Sequence, residues 1–496
     1  MARSIRPYYQ IIALITVLLI AAFLRLYRIY DLTEFLGDQG RTGMEIYRDW
    51  IQRALPLVGP TVLSGEHIGP AFYYIVAPAF IFSGFNPLAP AIWTALIGIG
   101  SVAVLWWMGR ELWGWRIATM VSLLWAVSPQ IVSSDRVLWE PNLVPFFALW
   151  FVLGIYMTWK RASFLWGAVM GAAVGILIQL HYPAFLFLAL TLLFFLEVWR
   201  EKKKLSPDLL APAGGALVGF VVVVLPFTIY ESMHGFADIS AVLGGFFGGG
   251  GAPIAKRQIL INFLDYSSRM VRRVIPFPGG WEVVSLLLLI ASPFMKRSFW
   301  TVFFVFWFLA GTTAMALYHG VVFDHYLFFV LPVPFLIMGY FLSLIEKKTI
   351  IWVPLLITAL IVFVQLAKTD IVRPGPKDLE RVTRASQAIL TESAGQPFAF
   401  GLIASRSFLD FHYRYFFLLA SVEAQPVLSN TYKNLFLVCE DGTCATADQL
   451  LRAGSAQLIC YDAHCSGTYP SVYFKEWKFL LSTDVSGARI YLFERI

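Results

Sequence analysis

The chain has 496 residues, 58% of them hydrophobic and only 14% charged, with a mean hydropathy of +0.69. A soluble globular chain is nearer a quarter charged, so an ordinary soluble enzyme is excluded over most of the length. The net charge of +7 would suit nucleic acid in a soluble protein, but here the basic residues cluster between apolar runs, as in chains oriented in a bilayer. No nucleic-acid partner is expected, and no Gly-rich phosphate loop points to an ATP-driven pump.

The N-terminus, MARSIRPYYQIIALITVLLIAAFLRLYRIY, has a basic start and an apolar run. Arg25, Leu26, Tyr27 and Arg28 follow where signal cleavage would need small residues, so the run is expected to stay as a first helix. Apolar runs of spanning length follow near 90–109, 116–133, 142–159, 163–180, 183–199, 211–229, 281–295, 299–317, 323–344 and 349–366. With the first at 8–29, they predict an α-helical polytopic membrane protein of about eleven transmembrane helices.

One more run, 68–85, has no flanking Lys or Arg. If it does not cross, the clusters Arg3/Arg6, Arg110/Arg116, Lys160/Arg161, Arg200/Lys202/Lys203/Lys204, Lys296/Arg297 and Lys347/Lys348 all fall on the cytoplasmic side. It is therefore expected to be interfacial or re-entrant. The N-terminus is then cytoplasmic, a long first outer loop spans 30–89, and the tail is extracytoplasmic.

Polar residues gather in the outer loops. Asp38 sits in a Gly-flanked turn before an amphipathic helix over 41–53, where a helix start favours anions; an ordinary N-cap is the plain alternative. Asp135, Arg136 and Glu140 crowd the second loop, with Trp139 and Pro141 placing Glu140 at the membrane boundary, where an acid is costly without a partner or a task. His181-Tyr182 and Asp324-His325-Tyr326 lie at further outer helix ends, where a lone His more often caps or packs. Lys256, Arg257, Arg269, Arg272 and Arg273 are basic on the face where charge bias expects few cations. An anionic lipid-linked substrate would account for them. Arg25 and Arg28, at the outer end of the first helix, are a second such exception, with snorkelling to membrane lipids as the simpler account.

Residues 1–366 form the membrane body and 367–496 a small extracytoplasmic α/β domain. In the tail, 377–393 reads as an amphipathic helix, and FAFGLIA, LFLVC, QLIC and ARIYLFE read as strands. The tail holds all four cysteines, Cys439, Cys444, Cys460 and Cys465. An even count in an outer domain points to two disulfides. Sequence leaves the pairing open; the local pairs Cys439–Cys444 and Cys460–Cys465 are favoured, with a four-thiolate zinc site as the alternative. The segment SRSFLDFHYRYFF fits packing on the membrane body as well as contact with an acceptor.

Four motifs in order, LGDQGR, GPAFYYI, SPQIVSSDRVLWEPN and FDHYLFFVLP, resemble the glycosyltransferase C superfamily, in particular its protein O-mannosyltransferase and aminoarabinose transferase branch. The resemblance covers most of 1–366. It implies a transferase that takes one sugar from a polyprenyl-phosphate donor and passes it to a lipid, glycan or protein acceptor. Asp38 matches the family's catalytic acid, Glu140-Pro141 an acid–proline pair, and His325-Tyr326 a His-Tyr before a Pro-bearing helix. On this reading Asp38 and Glu140 are catalytic, and Arg25, Arg136, His181, Tyr182, Arg269, Arg272, His325 and Tyr326 bind substrate. Gln39 departs from the family, which often has a second acid there, and this leaves a divalent metal as a candidate and no more. A transporter or lipid flippase is the competing class; it would more often show internal repeats and ionisable groups at the midplane. A membrane scaffold displaying the tail gives Asp38, Glu140 and His325 no reason to share a side.

Overall fold

A computed structural model describes residues 2–62, 65–202, 207–247, 254–277, 280–295, 298–427, 432–440, 442, 444–459 and 470–496. Each apolar run becomes helix. The body begins with α1 (Ala2–Leu26), the single turn α2 (Ile29–Leu32), α3 (Gly37–Gln52), α4 (Ala71–Phe82) and α5 (Ala89–Trp113). It continues through α6 (Trp115–Val127), α7 (Pro129–Ser134), α8 (Glu140–Arg161), α9 (Phe164–Leu180), α10 (Leu186–Lys202) and α11 (Pro207–Met233). It closes with α12 (Ala237–Phe247), α13 (Lys256–Arg272), α14 (Trp281–Met295), α15 (Phe299–Ala316), α16 (Pro332–Lys348) and α17 (Trp352–Ala367).

Among the described residues, six segments are long and apolar enough to cross a bilayer: Tyr8–Leu26, Ala89–Trp113, Glu140–Arg161, Tyr182–Glu201, Leu209–Met233 and Phe299–Ala316. Other apolar helices are shorter. The run expected at 116–133 is broken at Ser128-Pro129 into α6 and α7, because proline at a first helical position starts a helix more readily than it continues one. Likewise 323–344 opens as a 3-10 turn, Asp324–Leu327, and turns α-helical only at Pro332. Helix α4, within 68–85, has 12 residues, about 18 Å against roughly 30 Å of hydrocarbon.

Local chemistry sets several ends. Helix α8 starts on Glu140 and Pro141 and ends on Lys160 and Arg161, charges that complement its dipole. Helices α9 and α11 approach closely: a Cβ on Gly171 would lie 1.9 Å from the Ala216 carbonyl oxygen, and one on Gly219 2.1 Å from that of Ala168. Small residues at such a face allow dispersion contact where no hydrophobic driving force exists between helices. Aromatic and aliphatic side chains on α1 (Tyr8, Ile11, Ile12, Ile15, Leu19, Phe23) and α11 (Leu217, Val218, Val222, Leu225) remain exposed on the body's outer surface, as lipid contact requires.

The tail is α/β. It comprises α18 (Asp378–Ser393), β1 (Phe398–Ala404), α19 (Phe411–Leu419), β2 (Ala424–Pro426), β3 (Asn434–Cys439), α20 (Ala447–Ala453), β4 (Ser455–Gln457), β5 (Ser471–Tyr473), β6 (Trp477–Val485) and β7 (Ala488–Arg495). The main sheet runs β2-β1-β3-β7-β6, with β4 and β5 paired apart. Strands β2, β1 and β3 are parallel, while β7 is antiparallel to both β3 and β6. The β6–β7 hairpin turns through Ser486 and Gly487, both at positive φ, the backbone a two-residue turn needs. Phe398, Phe400, Leu402, Phe436 and Val438 face a core continuous with the membrane body. Ala399, Leu435, Leu437, Tyr491 and Phe493 face a second, smaller core that includes Leu450 of α20, following the two-residue alternation of a strand.

Cys439 and Cys444 form a disulfide. Cys460 and Cys465 lie outside the described residues. The linker after α17 is strapped to the end of α1: Arg28 donates to the carbonyls of Ile371 and Arg373, both at 3.2 Å, and the Lys377 N–H to that of Asp31 at 3.1 Å.

Candidate active site

Asp38 is the second residue of α3, and its carboxylate is partly exposed. Arg41, one turn on, pairs with it at 3.1 Å and donates to the Thr61 carbonyl at 2.9 Å. Glu140 opens α8; burial raises its pKa to about 7, with the charge of Asp38 adding to the effect and Arg41 opposing it.

Gln39 is what joins those loops. Its side-chain oxygen accepts the Leu36 N–H, and its amide donates to the Leu138 carbonyl, both at 2.9 Å. It is largely buried. A carboxylate could accept the first bond but could not donate the second, which is a physical reason for glutamine at this position. Gln39→Glu is expected to set a carboxylate against a buried carbonyl oxygen and cost about 1–3 kcal/mol, read as a lower melting temperature in detergent. An unchanged melting temperature would mean the amide bond carries no weight. Thr33 adds a second tie, donating to the Arg136 carbonyl at 2.8 Å.

The third and fifth loops close the group with rings. Trp139 lies 4.3 Å from His325 between centroids, His325 4.6 Å from Tyr326, and Tyr326 5.3 Å from His181. Burial pushes His181 down to about 3, with His325 adding to the effect, and His325 down to about 4 against the pull of Asp324. Both imidazoles are therefore neutral near pH 7. They offer ring faces and hydrogen bonds to a ligand, and countering a phosphate falls to other groups. Tyr182 turns away, donating to the His67 carbonyl, and His67 faces Asp238 at 3.2 Å.

The fourth-loop arginines divide. Arg269 pairs with Asp265, and with Asp324 at 3.3 Å. Arg273 pairs with Asp324 and donates to Gln130 at 3.1 Å. Arg272 is exposed and has no ion pair among the described residues. Lys256 and Arg257 sit exposed at the far end of α13.

Two arginines expected to meet substrate are enclosed. Arg25 is fully buried, bonded to Asp135 at 2.8 Å and to the Ala126 carbonyl at 2.9 Å. Arg136 is also fully buried, bonded to both Asp370 oxygens at 2.9 and 3.0 Å and to the Leu24 carbonyl at 2.7 Å. They fasten α1, the second loop and the linker together, and neither guanidinium is open to a ligand.

Asp38 and Glu140 could offer a cation two carboxylates, but no three His, Cys, Asp or Glu side chains converge as a metal site among the described residues. The donor set is thin for a metal.

Sequence reasoning assigned no role to Arg41, took Gln39 only as the residue in place of a second acid, and used Trp139 only to set Glu140 at the membrane boundary. All lie inside the quoted motifs, but their partners are distant in the chain. The spacing of Gly37, Gly40 and Gly43 was a usable signal for a closely packed helix face.

No family signature matches the sequence, and no curated protein matches it at sequence level. Solved structures do. ArnT from Cupriavidus metallidurans bound to undecaprenyl phosphate superposes over 97% of this chain and 97% of its own, with a TM-score of 0.60 and 12% identity. The Archaeoglobus fulgidus oligosaccharyltransferase in complex with Zn and sulfate covers 86% of this chain and 67% of its own, with a TM-score of 0.53 and 14% identity. The same organism's AglB, in complex with an inhibitory peptide and a dolichol-phosphate, covers 87% and 70%, with a TM-score of 0.51 and 12% identity. The chain thus shares the fold of ArnT almost end to end, and that of the oligosaccharyltransferase over most of its length.

Proposed function

We propose that this chain is a membrane glycosyltransferase that moves a single sugar from a polyprenyl-phosphate donor to a hydroxyl-bearing acceptor on the extracytoplasmic side. The observation that carries the reading is the Asp38–Arg41 pair on a helix that Gln39 ties to the Leu138 carbonyl, next to Trp139 and Glu140 and so to the Trp139–His325–Tyr326–His181 rings. The fold supports it, since two neighbours of the same architecture are described with undecaprenyl phosphate and dolichol-phosphate.

Asp38 takes the acceptor's hydroxyl proton as the oxygen attacks the anomeric carbon. The bond from that carbon to the phosphate oxygen breaks, and the lipid phosphate leaves with the electron pair. One displacement inverts the anomeric centre. Glu140 orients the acceptor or sugar from the start of α8, and the neutral rings bracket the sugar at the membrane boundary. No step runs through a metal.

The departing phosphate gains negative charge, and a guanidinium fork can meet it with two bonds where an ammonium cannot. Arg272 is free to do this, while Arg269 must exchange an existing carboxylate. Arg272→Lys is expected to lower turnover about 10-fold to 100-fold, with protein level and membrane insertion unchanged. If both Arg272→Lys and Arg269→Lys keep full activity, these charges serve lipid headgroups. The whole reading is tested by incubating purified protein with a panel of polyprenyl-phosphate sugars and identifying product and anomer. Transfer from none of them, or retention of configuration, would count against it.

A further inference from the structure

Helix α3 packs one face on the C-terminal domain. Gly37, Gly40 and Gly43 recur every three residues and so share that face. A Cβ on Gly40 would lie 2.4 Å from the His412 nitrogen and the Phe411 carbonyl oxygen; one on Gly37 would lie 2.6 Å from the Leu409 Cβ. Only a bare backbone lets α19 and the loop before it come so near.

The same contact reaches the start of the helix that carries Asp38. The first N–H groups of a helix have no partner inside it, and Leu36 at the N-cap supplies no side-chain acceptor. The Gly37 N–H instead donates across the domain boundary to the Ser407 hydroxyl, at 2.9 Å and buried. That hydroxyl is itself held. It donates to the Leu409 carbonyl at 2.6 Å and accepts the Leu409 N–H at 3.2 Å. The Ser407 N–H donates to the Ser405 hydroxyl at 3.0 Å, and Ser405 donates to Glu440. Glu440 also accepts from the Tyr413 hydroxyl at 2.8 Å and from Arg381 at 3.3 Å, and it follows Cys439 in the loop that the disulfide closes.

We propose that Ser407 is a positioning residue for Asp38, capping its helix from the C-terminal domain, so that this domain is part of the catalytic unit. The proposal rests on Asp38 being the base. With the hydroxyl gone, the Gly37 N–H is a buried orphan and the first turn of α3 frays. Asp38, in that turn, loses its fixed direction, while the donor site formed by the rings and arginines stays in place.

The test uses the full chain in nanodiscs, with Ser407→Ala, Ser407→Thr and Asp38→Asn measured on the cognate undecaprenyl-phosphate sugar. Ser407→Ala should lower kcat about 10-fold to 100-fold, the scale of a misplaced catalytic group, leave the donor KM unchanged, and speed amide exchange over residues 37–43. Ser407→Thr, which keeps the oxygen, should restore both turnover and protection. Should the alanine variant not insert, Ser407→Cys keeps the volume with a weak acceptor and takes its place. Full kcat in the alanine variant overturns the proposal even with Asp38→Asn inactive, and so does a loss seen in KM alone. An active Asp38→Asn removes the base itself, a distinct failure that also ends the proposal.

Discussion

Replacing Asp38 by asparagine is expected to reduce sugar transfer about 10²-fold to 10⁴-fold, the usual contribution of a general base. The amide keeps the size of the carboxylate, and its oxygen can still accept from Arg41, now at 3.1 Å. It removes the basicity that would take the acceptor proton. The side chain is partly exposed and belongs to no buried network, so folding should hold. Rates at saturating donor, beside equilibrium binding of the lipid phosphate, separate the two effects: turnover should collapse while binding stays close to wild type. A variant within a few-fold of wild-type turnover would take the base role from Asp38 and point to Glu140, the carboxylate that opens α8.

Loss of the Asp135 carboxylate should be the most damaging change to stability outside the site. Its partner Arg25 is fully buried at the end of α1, with two backbone carbonyls as its other partners. Asp135→Ala leaves that cation without a counter-charge, and breaking a buried pair in this way typically costs about 3–5 kcal/mol. The expected result is a fall in melting temperature in detergent, with reduced insertion. Removing both charges in Arg25→Met/Asp135→Leu should recover most of the loss, since two apolar side chains owe no desolvation penalty. If the single and double variants are equally unstable, the pair's worth lies in packing.

Some of this was legible from the residues. Long apolar runs mark helices whatever surrounds them, because backbone groups in hydrocarbon must be satisfied within the segment. The runs at 90–109, 142–159 and 211–229 therefore appear inside α5, α8 and α11. Alternating and continuous apolar stretches marked β1, β3 and β7 in the same local way. Glu140, His181 and His325 each lie within a few residues of a run's end, while Asp38, nine residues past the first run, was marked by its Gly-flanked turn.

Partnership was not legible. The sequence offered Arg25 and Arg136 as candidate substrate-binding residues, and their actual partners are Asp135 and Asp370, 110 and 234 residues away. Arg269 likewise meets Asp324 across 55 residues. Charge bias marks which cations are unusual, but a guanidinium's partner is set by which helices pack together.

By itself, the sequence determined the helical membrane body and the α/β tail, because hydropathy and turn chemistry act within a few residues. Only the tertiary structure decided that Gln39 bridges to Leu138, that Ser407 caps the helix of Asp38 from 370 residues away, and that Arg269 and Arg273 are engaged by Asp324. A hydrogen bond or ion pair depends on distances of about 3 Å, and helix packing alone brings such remote residues that close.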